Sequence, residues 1–234
     1  MALILSLETS TSVCSVALHD HGKLIAVAEI RKEQSHAAKL AVLVEQVVKL
    51  ADASLSDVKA IAVAAGPGSY TGLRIGASTA KGLCYALDVP LLAVETLKVM
   101  AAQVQQFNKS DAILCPMIDA RRMEVYCQLF DASLNTVNNI EAKIIDEQSF
   151  VETLTSNKII FFGDGAAKCK TVIRHSNALF LEDVVPFATQ LGYLANNKFE
   201  KNEFEDLVSF EPFYLKEFMI KKPADKEQVA TNKI

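Results

Sequence analysis

With 234 residues, half of them apolar and 22% charged, the chain has room for one large domain or two small ones and the composition of an ordinary folded protein. Its net charge of −4 and isoelectric point near 5.6 argue against this chain alone gripping nucleic acid, which takes a clustered basic surface. No apolar run reaches the roughly 18 residues that cross a bilayer, and the opening MALILSLETSTS lacks the basic start of a signal peptide, so a soluble cytoplasmic chain with no membrane partner is expected.

The first thirty residues alternate with period two. Strands are predicted over 2–7, 13–18 and 24–30, joined by the polar turn ETSTS and a hairpin at DHGK. A helix follows over 36–51, a short buried strand over 60–65, a helix over 71–87, a strand over 91–94 and a helix over 96–104. The opening then recurs: ILSLETSTSVCSVALHD at 4–20 and ILCPMIDARRMEVYCQLFD at 113–131 share one plan, offset by about 109 residues. A third strand is predicted over 136–145, a helix over 147–155, a strand over 158–162, and helices over 165–174 and near 187–198. Two lobes of ββαβα type describe an α/β, two-lobed actin-like ATPase (ASKHA, ribonuclease-H-like) fold. The N-terminal lobe is expected over 1–108 and the C-terminal lobe over 109–220, with a polar, disordered tail over 221–234. Five widely spaced cysteines, four inside apolar runs and none in a CxxC, read as buried free thiols of a reducing compartment.

Residues 66–76, GPGSYTGLRIG, sit between a strand and a helix, where a glycine-rich turn either makes a tight structural corner or holds an anion on free backbone N–H groups. Ser69 or Thr71 can cap the helix. No Lys-Ser/Thr pair completes a phosphate loop of Walker type. Gly72, Gly76 and Ala80 stand four apart and form a smooth stripe. Interior glycine costs a helix about 1 kcal/mol, so a close neighbour is expected there, either another helix or the chain's own sheet. The helix HAAKLAVLVEQVVKLA carries an apolar arc of about 180°, where a surface helix needs about 100°. A second burial partner is the expectation, and the two helices together are read as a subunit interface.

These residues carry a resemblance. GPGSYTGLRIG with AKGLCYALDVPLLAVETL, then MIDARRMEVYCQLF, GDGA at 163–166 and FEPFYLK at 210–216 resemble, in order and over nearly the whole chain, the TsaB (YeaZ) family. Met123 stands where that family favours glycine and Lys216 where it favours arginine. The resemblance implies a non-catalytic accessory subunit required for threonylcarbamoyl transfer to adenosine next to the anticodon of tRNAs decoding ANN codons. The partners it implies are the paralogue TsaD, bound as a heterodimer, and the ATPase TsaE, with tRNA reached through the complex and a homodimer formed when the chain is alone. The implied partner face lies on the two helices, at His36, Leu40, Leu43, Val44 and Val47 of the first and Tyr70, Gly72, Leu73, Gly76 and Ala80 of the second. No cofactor is expected on this chain alone; ATP and metal are expected on the partner subunits.

The residues also allow an independent actin-like ATPase or phosphotransferase to be weighed. Its first phosphate loop wants an aspartate followed by glycine; LSLETSTS offers Glu8 but no glycine, and a Ser/Thr turn accounts for it as well. Asp119 with Arg121 and Arg122 occupies the second such position; a solvated arginine pair and a contact to phosphate or a partner carboxylate both remain open. Asp164 of GDGA reads as a helix N-cap. His19 and His21 read as solvated turn residues, and the sequence contains neither HxxxH nor HExxH, the helical zinc patterns, nor a GxSxG elbow.

Overall fold

The computed structural model describes residues 2–32 and 35–215; the tail expected to be disordered and Lys216 lie outside the described residues. The first half holds β1 (Leu3–Glu8), β2 (Cys14–Asp20), β3 (Lys23–Ile30), α1 (His36–Leu50), β4 (Val58–Ala64), α2 (Tyr70–Leu87), β5 (Leu91–Val94) and α3 (Thr96–Gln105). The second holds β6 (Ile113–Asp119), β7 (Glu124–Cys127), β8 (Glu141–Ile144), α4 (Val151–Ser156), β9 (Ile159–Phe162), α5 (Ala166–Cys169), β10 (Ala178–Leu181) and α6 (Ala188–Glu200).

Each half makes one five-stranded sheet of the same topology. The orders are β3-β2-β1-β4-β5 and, read from the matching edge, β8-β7-β6-β9-β10. In each, three strands form an antiparallel meander and two join parallel to its first strand. This repeated order is the ribonuclease-H-like lobe, and two of them make the actin-like fold. The duplication seen in the sequence is therefore real at the level of strand order.

The second half departs from the predicted elements in three places. Its third strand shortens to β8, because the Asp131 carboxylate accepts the Ser133 and Asn135 amides (2.8 and 2.9 Å) and folds 131–135 into a turn. The helix expected over 165–174 shrinks to the four residues of α5, after which the Val172 and Ile173 amides both turn back to the Cys169 carbonyl. Strand β10, four residues paired parallel to β9, was not expected at all.

The faces of the sheets explain the burial. One face of the first sheet takes α1 and α2, with Leu40, Val44, Val47 and Ala80 packed on Leu5, Leu7, Val16 and Ile61. Its other face takes α6, an element of the second half, through Leu191, Leu194 and Ala195 on Ile4, Ala60, Ala62 and Leu92. The exchange is mutual. The second sheet has α4 and α5 on one face, and on the other α3 from the first half, with Leu97, Met100 and Val104 against Leu114, Phe130 and Phe162. Beyond α6, residues 204–215 return as a strap along the open edge of β5. The Glu205 amide donates to the Leu91 carbonyl (2.9 Å), and the Phe213 amide to Ala65 (2.7 Å). All five cysteines are buried and free.

Candidate functional site

The glycine loop is occupied by the chain itself. The β1–β2 turn, Thr9 to Ser12, closes beneath the first turns of α2. The Ser69 amide donates to the Ser10 carbonyl (2.7 Å), and the Thr9 hydroxyl donates to the Gly72 carbonyl (2.8 Å). A Cβ on Gly68 would overlap the Ser10 carbonyl, one on Gly72 the Thr9 carbonyl, and one on Gly76 the Thr9 hydroxyl. Glycine is therefore required at these three places by the chain's own turn, and their helix cost is offset there. Ser69 caps α2, its hydroxyl accepting the Gly72 amide (3.3 Å). Gly66, at φ 100°, sits against the Phe213 carbonyl of the strap, an approach only glycine permits.

At the start of that turn Glu8 is wholly buried. One carboxylate oxygen accepts the Ser10 amide (2.7 Å), and the other has no partner among the described residues. Burial pushes its pKa up to about 7, against the lowering effect of Ser10, so it holds its proton at mildly acid pH. The Cys14 thiol, buried nearby, rises to about 11 for the same reason, with the Glu8 charge adding to it.

Most residues of the expected partner face lie inside the chain itself. His36, Leu40, Leu43, Val44 and Val47 are all buried on the inward side of α1, as are Gly72, Leu73, Gly76 and Ala80 on α2. They bring α1 and α2 together on the sheet, and of them Val44 also reaches the groove between the helices. His36 holds the start of α1 through its Nε2, 3.2 Å from the Val13 carbonyl. Tyr70 is half-buried, its ring 4.9 Å from that of Tyr214, with the Arg74 guanidinium 4.3 Å from its centroid. The apolar arc of α1 is broader than the sheet can cover. The sheet takes the inner part, and Ala37, Ala41, Val42 and Leu50 stay exposed. On α2 the outward residues are Arg74, Ser78, Gly82 and Tyr85, the last 84% exposed. Between the helices runs a groove of about 650 Å³, lined by Ala41, Val44, Val48, Leu55, Thr79 and Leu83 and flanked by Glu45 and Lys49. Small residues next to the inward stripe, at Ala41 and Ser78, were the signal for this outer face.

The second half corrects two further expectations. Asp164 caps no helix. Its carboxylate accepts the Asp119 amide across the sheet end (2.9 Å), and burial raises its pKa. Lys168 crosses the same turn, its ammonium paired with the Asp119 carboxylate and donating to the Arg122 and Glu124 carbonyls (both 2.7 Å). Arg121 and Arg122 stand exposed on the turn. His21 is exposed as expected, but His19 is buried, because β2 runs on through it and turns its ring under Gly192 of α6. Burial lowers its pKa. Among the described residues no helix is long and apolar enough to cross a membrane.

Comparison with known proteins places this arrangement. The family described as TsaD, tRNA N6-adenosine threonylcarbamoyltransferase, matches residues 29–234. The Bacillus subtilis tRNA threonylcarbamoyladenosine biosynthesis protein TsaB is 33% identical over 146 residues, 62% of this chain and 61% of that protein. Its Escherichia coli namesake is 37% identical over 123 residues, 53% and 52% of the two chains, so the matched stretch spans only part of these relatives' length. The solved structure of YeaZ from Pseudomonas aeruginosa superposes with a TM-score of 0.81 at 26% identity, over 92% of this chain and all of that one. The chain thus belongs to the TsaD, tRNA N6-adenosine threonylcarbamoyltransferase, family and stands within it among the TsaB (YeaZ) proteins.

Proposed function

We propose that the chain is a non-catalytic scaffold and activator in the formation of threonylcarbamoyladenosine beside the anticodon of tRNAs decoding ANN codons. The relatives, which are tRNA threonylcarbamoyladenosine biosynthesis proteins, support the pathway. The observation that carries the accessory role is the closed β1–β2 turn: the backbone that presents phosphate-binding groups in an actin-like enzyme is filled here by Thr9 and Ser10 under α2. Glu8, the one candidate for a metal-holding carboxylate in that turn, is sealed from solvent. On this reading ATP and metal belong to the partners, a TsaD-type transferase and a TsaE-type ATPase, the complex works in the cytoplasm, and tRNA is reached through it.

The partner face is the outer surface of α1 and α2, with Ala41, Val42, Ser78 and Tyr85 around the groove; a second copy of the chain takes that face when the partner is absent. The experiment is threonylcarbamoylation of unmodified tRNA by purified TsaD, TsaE and the adenylate-producing enzyme, with and without this chain. Product is expected only in its presence, and Val42→Glu with Ser78→Arg should abolish both product and heterodimer while the circular dichroism melt stays unchanged. Equal product without the chain would overturn the activator role. Saturable binding of Mg-ATP to the isolated chain, with turnover lost in Glu8→Ala, would replace it with an actin-like phosphotransferase.

A further inference from the structure

A groove of about 810 Å³ separates the strap from the second half of the molecule, within the size range of small-ligand sites. Its walls come from β5 and the start of α3, from α6, from the strap, and from the segment around Gln128 and Ile140. The polar groups lining it are unevenly matched. Lys198 is the one cation on the wall among the described residues, and its ammonium already donates to the Ala93 carbonyl (2.8 Å) and lies 3.4 Å from Glu205. Gln128 is only 4% exposed; its amide nitrogen donates to the Asn138 carbonyl (3.0 Å), while its amide oxygen has no partner. Asp206 is satisfied by the Ser209 amide and hydroxyl (2.8 and 2.7 Å). The carboxylates of Glu95 and Glu211 have no hydrogen bond or ion pair among the described residues, although Arg74 acts on Glu211 at longer range.

The Lys198 and Gln128 donors in this groove are engaged, Asn139 offers an amide that both donates and accepts, and the carboxylates of Glu95, Glu205, Asp206 and Glu211 face a single ammonium among the described residues. That excess of negative charge disfavours anions and favours a ligand that carries an ammonium or guanidinium group. The carboxylates are spread around the groove, and no three His, Cys, Asp or Glu side chains among the described residues stand close enough to hold a metal ion. An extended cation therefore suits the spacing better than a divalent ion. Phe210, Phe213 and Ile140 add apolar wall between the charges, as methylene chains require. We propose that this groove binds an aliphatic ammonium group, held by Glu95 and Glu211 and by the amide oxygen of Gln128. The inference stands apart from the accessory role above, since it uses neither the α1–α2 face nor the turn at Glu8.

The test is titration of the full chain, followed by nuclear magnetic resonance and calorimetry at constant ionic strength. Spermidine, Nα-acetyl-lysine methylamide and MgCl₂ are added in separate arms. Saturable one-site binding of spermidine, with the Gln128 side-chain amide resonances among the largest shifts, is the result expected of a free polyamine site. Equal or tighter binding of the lysine derivative at the same resonances assigns the groove to a partner's lysine side chain and equally supports it. Glu95→Gln with Glu211→Gln should weaken binding at least tenfold, whereas Glu45→Gln on α1 should leave it unchanged. No saturable binding in either amine arm overturns the proposal. So does an MgCl₂ arm that moves the Gln128 resonances as strongly, or binding untouched by the double variant.

Discussion

Glu8 is the residue whose surroundings disagree most with its chemistry. In the unfolded chain it ionises near 4.5, whereas the folded chain keeps its proton up to about 7. Its contribution to stability is therefore fully present below pH 4.5 and is lost as pH rises through 7, a difference of about 3 kcal/mol for a shift of this size. Glu8→Gln removes the charge and should raise the unfolding free energy at pH 8 by up to about 3 kcal/mol while leaving it nearly unchanged at pH 4. Urea melts across that range check the sign. The glycines of α2 give a second contrast. Gly76→Ala drives a methyl into the Thr9 hydroxyl and should cost about 1–3 kcal/mol. Gly82 faces open space, and Gly82→Ala should stabilise by about 0.5–1 kcal/mol. For the same reason Gly76→Arg, which the smooth stripe suggests as a probe of the partner face, is a folding lesion and tests nothing about binding.

At the scale of elements, α1 and α2 were legible and their orientation was not. Period and caps placed both helices within a residue or two. A helical projection counts apolar residues around a cylinder but does not say which part the sheet will cover, so it does not separate the inward row from the outward one. The four-residue β10 was missed, and α5 was drawn too long, because so short an element carries too little periodicity to separate it from a loop. His19 was misread because a hairpin tip suggests water, and the helix that covers it arrives from about 170 residues later. The strap was visible only as the motif FEPFYLK, with no hint that it closes the β5 edge. Lys81 holds it through the Val208 and Phe210 carbonyls (3.0 and 3.2 Å). Lys81→Met should loosen it by about 1 kcal/mol. Amide exchange at Glu205 and Phe213 is then expected to quicken roughly fivefold, with the amides of β1 protected as before.

For the whole molecule, repetition in the sequence announced the doubled sheet but not how the helices are shared. A division near residue 108 remains our proposal for the two lobes, and it has a physical consequence. A fragment of residues 1–108 keeps α1 and α2 but leaves Ile4, Ala60, Ala62 and Leu92 without α6. A fragment of 109–234 lacks α3 over Leu114, Phe130 and Phe162. Each alone should bind a hydrophobic dye and melt without cooperativity, and the two together should regain a cooperative transition. Cooperative folding of either half by itself would show that the crossing helices are dispensable.

That sharing also bears on how such a chain arises. A single lobe with this plan would leave its last helix partly uncovered, since α6 lies on the opposite sheet and α3 packs Val99 and Ala102 toward its own sheet but Leu97, Met100 and Val104 on the other. A twin lending its helix in return, in an arm-exchanged pair of identical subunits, would complete it. Joining the two copies end to end makes that loan permanent. Once joined, each copy is free to diverge while the other keeps it folded.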